Sequence, residues 1–191
     1  ALAAPYLADP LRESFVYPVS DGAIALVLAS EARASELTDK PIWVTGLGNC
    51  HDTFGLGERD LAAMPALGRA ACKALGRAGI TDSRAALSVV EVSDPYAYQI
   101  TQVAEGLGLC GAGEGGAWLA DDGPDAWNVN RSGGVLAGNP LILGGLARVA
   151  ECVLQLRGEA GARQVEDARC ALAHGACGPA GQLQSVAILE A

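Results

Sequence analysis

The stretch RCALAHGACGPAGQLQSVAIL, residues 169–189, contains two apolar segments separated by residues that break regular structure. The first segment runs from Arg169 to His174 and the second from Gln184 to Leu189. Short apolar runs bounded by glycine and proline are typical of buried strands. The stretch therefore predicts a hairpin of two buried strands. The breaking residues between the segments are Gly175, Gly178, Pro179 and Gly181.

Three segments upstream of this hairpin carry the signals of helices. In residues 61–79, apolar side chains recur at helical spacing, and Gly79 is expected to end the helix as a C-terminal cap. Residues 94–107 and 139–158 each begin with Asp-Pro or Asn-Pro. An acidic or amide residue followed by proline is typical of an N-cap and the first helical turn. The sequence thus predicts three helices.

Three further apolar runs indicate strands: Ala23–Leu28, Ile42–Gly46 and Ala86–Val92. The first is almost wholly apolar, which favours a strand covered on both faces. Residues 108–125 are rich in glycine and aspartate and are expected to form a loop, although they contain a GxGxxG pattern. That pattern follows a helix rather than a strand, so a dinucleotide site is not expected. The fold class is α/β, with a mixed sheet of about five strands and helices on its faces.

The composition limits the classes of function. The chain of 191 residues has 13 basic and 22 acidic residues, a formal net charge of −9. This balance disfavours nucleic acid and anionic membranes as partners. No apolar run approaches the roughly 20 residues of a membrane span, and no secretory leader is evident, so a cytoplasmic protein is expected. The six cysteines form no CxxC pair, so neither a metal site nor a disulfide framework is expected.

Residues 1–20 contain three prolines and no sustained period, which predicts an extended lead-in that needs a neighbour to pack on. The domain proper is expected to span residues 21–191. The lead-in is interpreted as the continuation of a missing N-terminal half.

Several ordered motifs resemble the C-terminal half of the thiolase superfamily, on the branch of the sterol-carrier and lipid-transfer thiolases. The resemblance covers nearly the whole chain. It implies a site for a coenzyme A thioester as substrate, with no covalently bound cofactor. It also implies chemistry at a carbon–carbon bond and a nucleophilic cysteine supplied by the other half. The motifs are DGAIALVLAS (21–30), VEVSDPYAYQ (90–99), NVNRSGGVLAGNP (128–140) and HGACGPAGQLQSVAIL (174–189).

The resemblance also implies roles for individual residues. Asn139 stands where these enzymes carry the histidine of a GHP loop, and Ser93 where an asparagine holds a water in the oxyanion hole. Cys177 falls under the cysteine that moves the α-proton. His174 is a candidate base or a group that orients Cys177, and Tyr96 is a candidate for an aldolase-type site.

Each assignment has a structural alternative. Asn139 in front of proline, and Ser93 beside an aspartate, also fit ordinary helix N-caps. Cys177 also fits a small residue in a tight glycine turn. His174 also fits a histidine satisfied by local backbone groups.

Three functions remain open. The first is a half or subunit of a thiolase-like acyltransferase of lipid or steroid side-chain metabolism, inactive without the half that carries the nucleophile. That half is upstream in the same chain or a separate subunit, in a homo- or hetero-oligomer. The second is a retro-aldol lyase of a β-hydroxyacyl-CoA, with an OB-fold partner. The third is a non-catalytic subunit that binds acyl-CoA.

Overall fold

The protein is described by a computed structural model covering residues 3–191. The strands are β1 Tyr6–Ala8, β2 Leu11–Arg12, β3 Trp43–His51, β4 Val89–Glu91, β5 Cys170–Cys177 and β6 Leu183–Glu190. A four-stranded mixed sheet has the order β3-β6-β5-β4, and β1 and β2 form a separate two-stranded sheet. β5 and β6 form the predicted antiparallel hairpin, whereas β4 runs parallel to β5.

Helices cover both faces of the main sheet. Neighbouring residues of β6 illustrate this, because Ile188 packs into one apolar cluster and Leu189 into another. Burying a side chain of this size contributes about 1.5 to 3 kcal/mol. The helices are α1 Glu31–Leu37, α2 Pro65–Arg77, α3 Ser83–Ala86, α4 Gln99–Leu107, α5 Gly115–Ala120, α6 Gly123–Ala126, α7 Gly134–Ala137 and α8 Gly144–Arg157.

The two apolar clusters lie on opposite faces of the sheet. Leu67 of α2 and Val103 of α4 pack on the face that contains Ile188. Cys152 and Leu156 of α8 pack on the face that contains Leu189. The predicted α/β class, with helices on the faces of a mixed sheet, is confirmed.

Several predicted elements are confirmed with small changes of boundary. The predicted strand from Ile42 is β3, and the predicted strand over residues 86–92 is the shorter β4. The helix over residues 61–79 is α2, and Gly79 follows it with a left-handed φ of 71°. The third predicted helix is α8, which ends at a left-handed Gly158 as expected.

Other local predictions are wrong. Residues 94–107 do not form one helix from an Asp94 cap, because α4 begins at Gln99 and the Asp94 carboxylate accepts from the Val135 N–H at 2.7 Å. Residues 108–125 are not a single loop, since α5 lies within them and α6 begins there. The lead-in contains the β1–β2 pair, and its interpretation as the continuation of an N-terminal half stays a prediction.

The run Ala23–Leu28 forms no strand. Val27 is 88% exposed and Leu28 is 85% exposed, so the predicted cover on both faces is absent from the described residues. A strand needs a neighbour for its backbone N–H and C=O groups, and no other described strand pairs with this run. The main sheet therefore has four strands instead of about five.

No helix within residues 3–191 has the length and apolarity needed to cross a membrane.

Helix α2 lies unusually close to β3 because the strand presents glycines to it. A Cβ added at Gly46 would lie 2.1 Å from the Ala74 carbonyl oxygen, and one at Gly48 would lie 1.9 Å from the Ala70 oxygen. Such distances are far below van der Waals contact. The helix can therefore pack here only on strand positions that lack a side chain.

We expect Gly48→Ala to destabilise the fold by about 1 to 3 kcal/mol, because the new methyl group forces α2 away from β3. Gly76→Ala is the matched control, since nothing lies within 4 Å of a Cβ at that helical position. Removing a glycine from a helix interior stabilises by about 0.5 to 1 kcal/mol. Urea unfolding of both variants measures the two effects, and equal stability of the two would contradict this packing.

Candidate active site

One cavity of about 420 Å³ brings together all five residues singled out in the sequence. Ser93 and Tyr96 follow β4, Asn139 precedes α8, and His174 and Cys177 belong to β5. The carboxyl ends of parallel strands meet at one edge of a sheet, where α/β proteins commonly bind ligands. The β4–β5 pairing thus explains why residues so distant in sequence line one cavity. Their chemical roles stay predictions.

The N-terminus of α8 approaches this edge through a contact between two glycines. A Cβ at Gly175 of β5 would lie 3.1 Å from the Cα of Gly145. Gly144 and Gly145 line the cavity beside Cys177. The N-terminus of a helix of 14 residues presents free N–H groups and the positive end of the helix dipole. The cavity is therefore suited to stabilising negative charge on a bound group.

His174 is only 1% exposed, and both of its ring nitrogens are engaged. Nδ1 accepts from the Ser93 backbone N–H at 3.3 Å, so Nε2 carries the proton and donates to Gln184 Oε1 at 2.6 Å. Burial lowers the pKa of the imidazole to about 4, which the Gln184 contact only partly offsets. The geometry thus favours a neutral, positioning histidine over a base.

Asn139 is 7% exposed, and its backbone N–H donates to Ser20 Oγ at 2.7 Å. The N-cap of α8 is Leu143, and no side chain caps that helix. The capping explanation for Asn139 therefore does not apply to α8. The amide side chain instead borders the cavity.

Cys177 ends β5 and is exposed, so its thiol is open to a bound molecule. The turn that follows contains three residues with left-handed φ, namely Gly178, Ala180 and Gly181. Ala180 has a φ of 49°, which is unfavourable for a residue with a Cβ. Local strain of this kind is often found at functional sites.

Three tyrosines form an aromatic group at the cavity. The rings of Tyr96 and Tyr98 stack with centroids 5.8 Å apart, and Tyr17 meets Tyr96 edge-on at 6.0 Å. Residues two apart in a helix do not share a face, but both of these tyrosines precede α4, so their rings can stack. Tyr17 also lines the cavity, and no sequence pattern indicated it.

Two buried carboxylates lie behind the cavity. Glu91 accepts from the Ser132 N–H at 3.0 Å and faces Arg148 at 3.5 Å. Burial raises the pKa of Asp94 to about 6 despite the Val135 N–H and Arg148, which lower it. Neither carboxylate was predicted as a buried group of the site, although a glutamate within the apolar run VVEV was a usable signal.

The fold and the cavity define an α/β domain whose site lies at the carboxyl ends of two parallel strands, beside a helix N-terminus. Residues 48–191 match the family model described as thiolase C-terminal domain-like. The chain belongs to this family.

Named relatives agree with this assignment. The chain is 39% identical over 182 residues to an acetyl-CoA acetyltransferase of Methanothermobacter thermautotrophicus, covering 92% of the chain and 46% of that protein. It is 37% identical over 168 residues to human sterol carrier protein 2, covering 82% of the chain and 30% of that protein. The chain thus spans half or less of the length of these relatives.

Among solved structures, an Ltp2-ChsH2(DUF35) aldolase superposes with a TM-score of 0.86. The match covers 99% of this chain and 50% of that chain at 23% identity. At this identity the likeness shows the fold alone.

Replacing Ala180 by glycine is expected to stabilise the protein by about 1 kcal/mol, because glycine adopts left-handed φ without the steric cost of a Cβ. Ala176→Gly, within β5, is the control and should destabilise instead. Thermal or urea unfolding shows whether the free energy of unfolding rises or falls in each variant. A loss of stability in Ala180→Gly would show that the turn is not strained.

The raised pKa of Asp94 makes the stability of the protein depend on pH. Its folded pKa of about 6 exceeds the ordinary value of 3.8, so the folded state binds more protons between these values. Its contribution to stability is therefore present below about pH 4 and is lost as pH rises through 6. We expect the stability of Asp94→Asn relative to the unmutated protein to rise by about 2 to 3 kcal/mol over that window.

The control for this measurement is Asp125→Asn, because the Asp125 side chain is 88% exposed. Its stability relative to the unmutated protein should stay nearly constant with pH. A flat profile for Asp94→Asn as well would mean that the Asp94 carboxyl is not perturbed by burial.

Proposed function

We propose that this chain forms half of a thiolase-like enzyme that makes or breaks carbon–carbon bonds in coenzyme A thioesters. The nucleophilic cysteine would come from a second half, either in the same polypeptide or in a partner subunit. One observation carries the proposal. The five residues that the thiolase resemblance selects, scattered from Ser93 to Cys177, line a single cavity.

The lining of the cavity suits a thioester with an apolar acyl group. Apolar side chains on its walls include Met64, Val103, Val135 and Ile142. Polar side chains such as Ser93, Asn139 and His174 share the lining with them, as is usual in small-molecule sites. A thioester enolate at this point would be stabilised by the N-terminus of α8. In this proposal coenzyme A is part of the substrate and not a bound cofactor.

Within this proposal, Cys177 moves the proton at the α-carbon, since its thiol is exposed to the cavity. Ser93 supplies a hydroxyl that holds a water or the thioester oxygen. His174 fixes the backbone of Ser93 through its Nδ1. Asn139 cannot accept a proton at neutral pH, so activation of the nucleophile would have to come from another group.

The second half is proposed to cover an apolar groove on the α8 side of the sheet. The groove has a volume of about 810 Å³ and lies between the unpaired run 25–29, α1, β3 and α8. Val149 and Val153 of α8 form part of its floor. The acetyl-CoA acetyltransferase relative contains a comparable length of chain beyond the matched region. We expect residues 23–28 to become a strand once that half is present.

A retro-aldol cleavage of a β-hydroxyacyl-CoA is the second candidate function. It is favoured by the phenol of Tyr96 in the cavity and by the amide at Asn139, because an aldol cleavage needs a base for a hydroxyl but no acyl-accepting cysteine. The OB-fold partner that the family resemblance implies is part of this alternative, and the aldolase with a similar fold carries a second named component, ChsH2(DUF35).

Co-expression with a cysteine-bearing N-terminal half of a related thiolase tests the proposal. We expect turnover of a 3-ketoacyl-CoA that consumes free coenzyme A, and a loss of about 10²- to 10⁴-fold in Cys177→Ala. Cys72→Ala is the control, because that thiol is exposed on α2 away from the cavity.

The products separate the candidate functions. Release of an aldehyde or ketone without consumption of free coenzyme A would favour the retro-aldol function. Tight acyl-CoA binding without turnover would favour a non-catalytic binding subunit. Full activity of the unaccompanied chain would contradict the need for a second half.

A further inference from the structure

Residues 15–20, here called the strap, contact the loop that carries Ser93 and Tyr96. The Tyr17 N–H donates to the Pro95 carbonyl oxygen at 2.9 Å, and the Ala97 N–H donates to the Phe15 oxygen at 2.9 Å. Val16 and Tyr96 form an antiparallel bridge between these bonds. One end of the strap is thus paired with the loop after β4.

The other end of the strap is paired with Asn139. The Asn139 N–H donates to Ser20 Oγ at 2.7 Å, and the Ser20 N–H donates to the Asn139 carbonyl oxygen at 3.3 Å. Val19 forms a parallel bridge with Asn139. Beyond the strap, a Cβ at Gly22 would lie 3.1 Å from the Pro140 side chain, so the chain continues in close contact.

The strap therefore joins two loops that approach the cavity from different strands and helices. Within residues 3–191 it lies outside the main sheet, so its backbone groups are free to pair with both loops. The side chain of Tyr17 at its centre lines the cavity. The Ser20 hydroxyl is the one side-chain group in the strap that binds the backbone of a predicted site residue.

We propose that the strap sets the position of Asn139 relative to Ser93, with the Ser20 hydroxyl as the positioning group. Ser20 does not line the cavity, so it acts through Asn139 rather than on a substrate. The inference rests on the proposed function and extends it, because it gives Asn139, which lines the cavity, a hydrogen-bonding contact with the bound group instead of the proton transfer that an amide cannot perform.

Removing the hydroxyl leaves the buried Asn139 N–H without its acceptor, and the loop is then free to shift. A shift of about 1 Å at a group that positions the substrate can cost on the order of 100-fold in rate. Substrate affinity depends on the whole cavity and should change little. The expected signature is therefore a fall in kcat at a nearly constant KM.

The test compares Ser20→Ala, Ser20→Thr and Ser35→Ala in the enzyme assembled with its second half. We expect kcat to fall by about 10- to 100-fold in Ser20→Ala, with KM within about 2-fold, and to recover in Ser20→Thr, which keeps a hydroxyl. Ser35, exposed on α1, is the matched control and should leave kcat unchanged. An unchanged kcat in Ser20→Ala, or a change in KM alone, would overturn the inference.

Amide hydrogen exchange separates this inference from the proposed function. The Asn139 N–H should exchange faster in Ser20→Ala than in Ser35→Ala, whatever the assembled protein catalyses. Equal exchange rates of the Asn139 N–H in the two variants would overturn the positioning role of the strap. If the unmutated assembly turns over no coenzyme A ester while exchange responds as expected, the proposed function fails and the strap retains its structural role.

Discussion

The register of β4 on β5 is the constraint on which the rest of the site depends. Val90 pairs with Leu172 and Glu91 with Ala173 in parallel. Two residues beyond β4, the Ser93 N–H therefore meets the imidazole of His174. Because the carboxyl ends of both strands lie at one edge, the loop after β4 and the end of β5 face each other. The contact between Gly145 and Gly175 then places the N-terminus of α8 at the same edge.

Buried charge behind the cavity holds the segment that leads to Asn139. Glu91 binds both the N–H and the hydroxyl of Ser132, and Asp94 binds the Val135 N–H. Each carboxylate loses its water on burial, which raises the pKa of both groups although Arg148 lies nearby. A buried ionic group rarely stabilises a fold more than a packed apolar one would. The two carboxylates act here by positioning the backbone, since their contacts fix the loop between β4 and α8.

The sequence predicted those parts of the fold that depend on local patterns. The hairpin, α2 and α8 carry their own periodicity and glycine signals, and they occur close to the expected bounds. The prediction of a strand over residues 23–28 is wrong because a strand depends on a neighbouring strand, and the described residues offer none. Tyr17 was missed for the same reason, since only tertiary contacts bring it to the site. The five predicted residues met in one cavity because the family resemblance already contained that tertiary information.

We propose that this chain completes its site only with a second half. Measuring the intact mass and association state of the native species that contains this sequence tests the proposal. We expect either a longer polypeptide or a stoichiometric complex with a partner bearing a reactive cysteine. A native species of 19.4 kDa, without a partner, would contradict it.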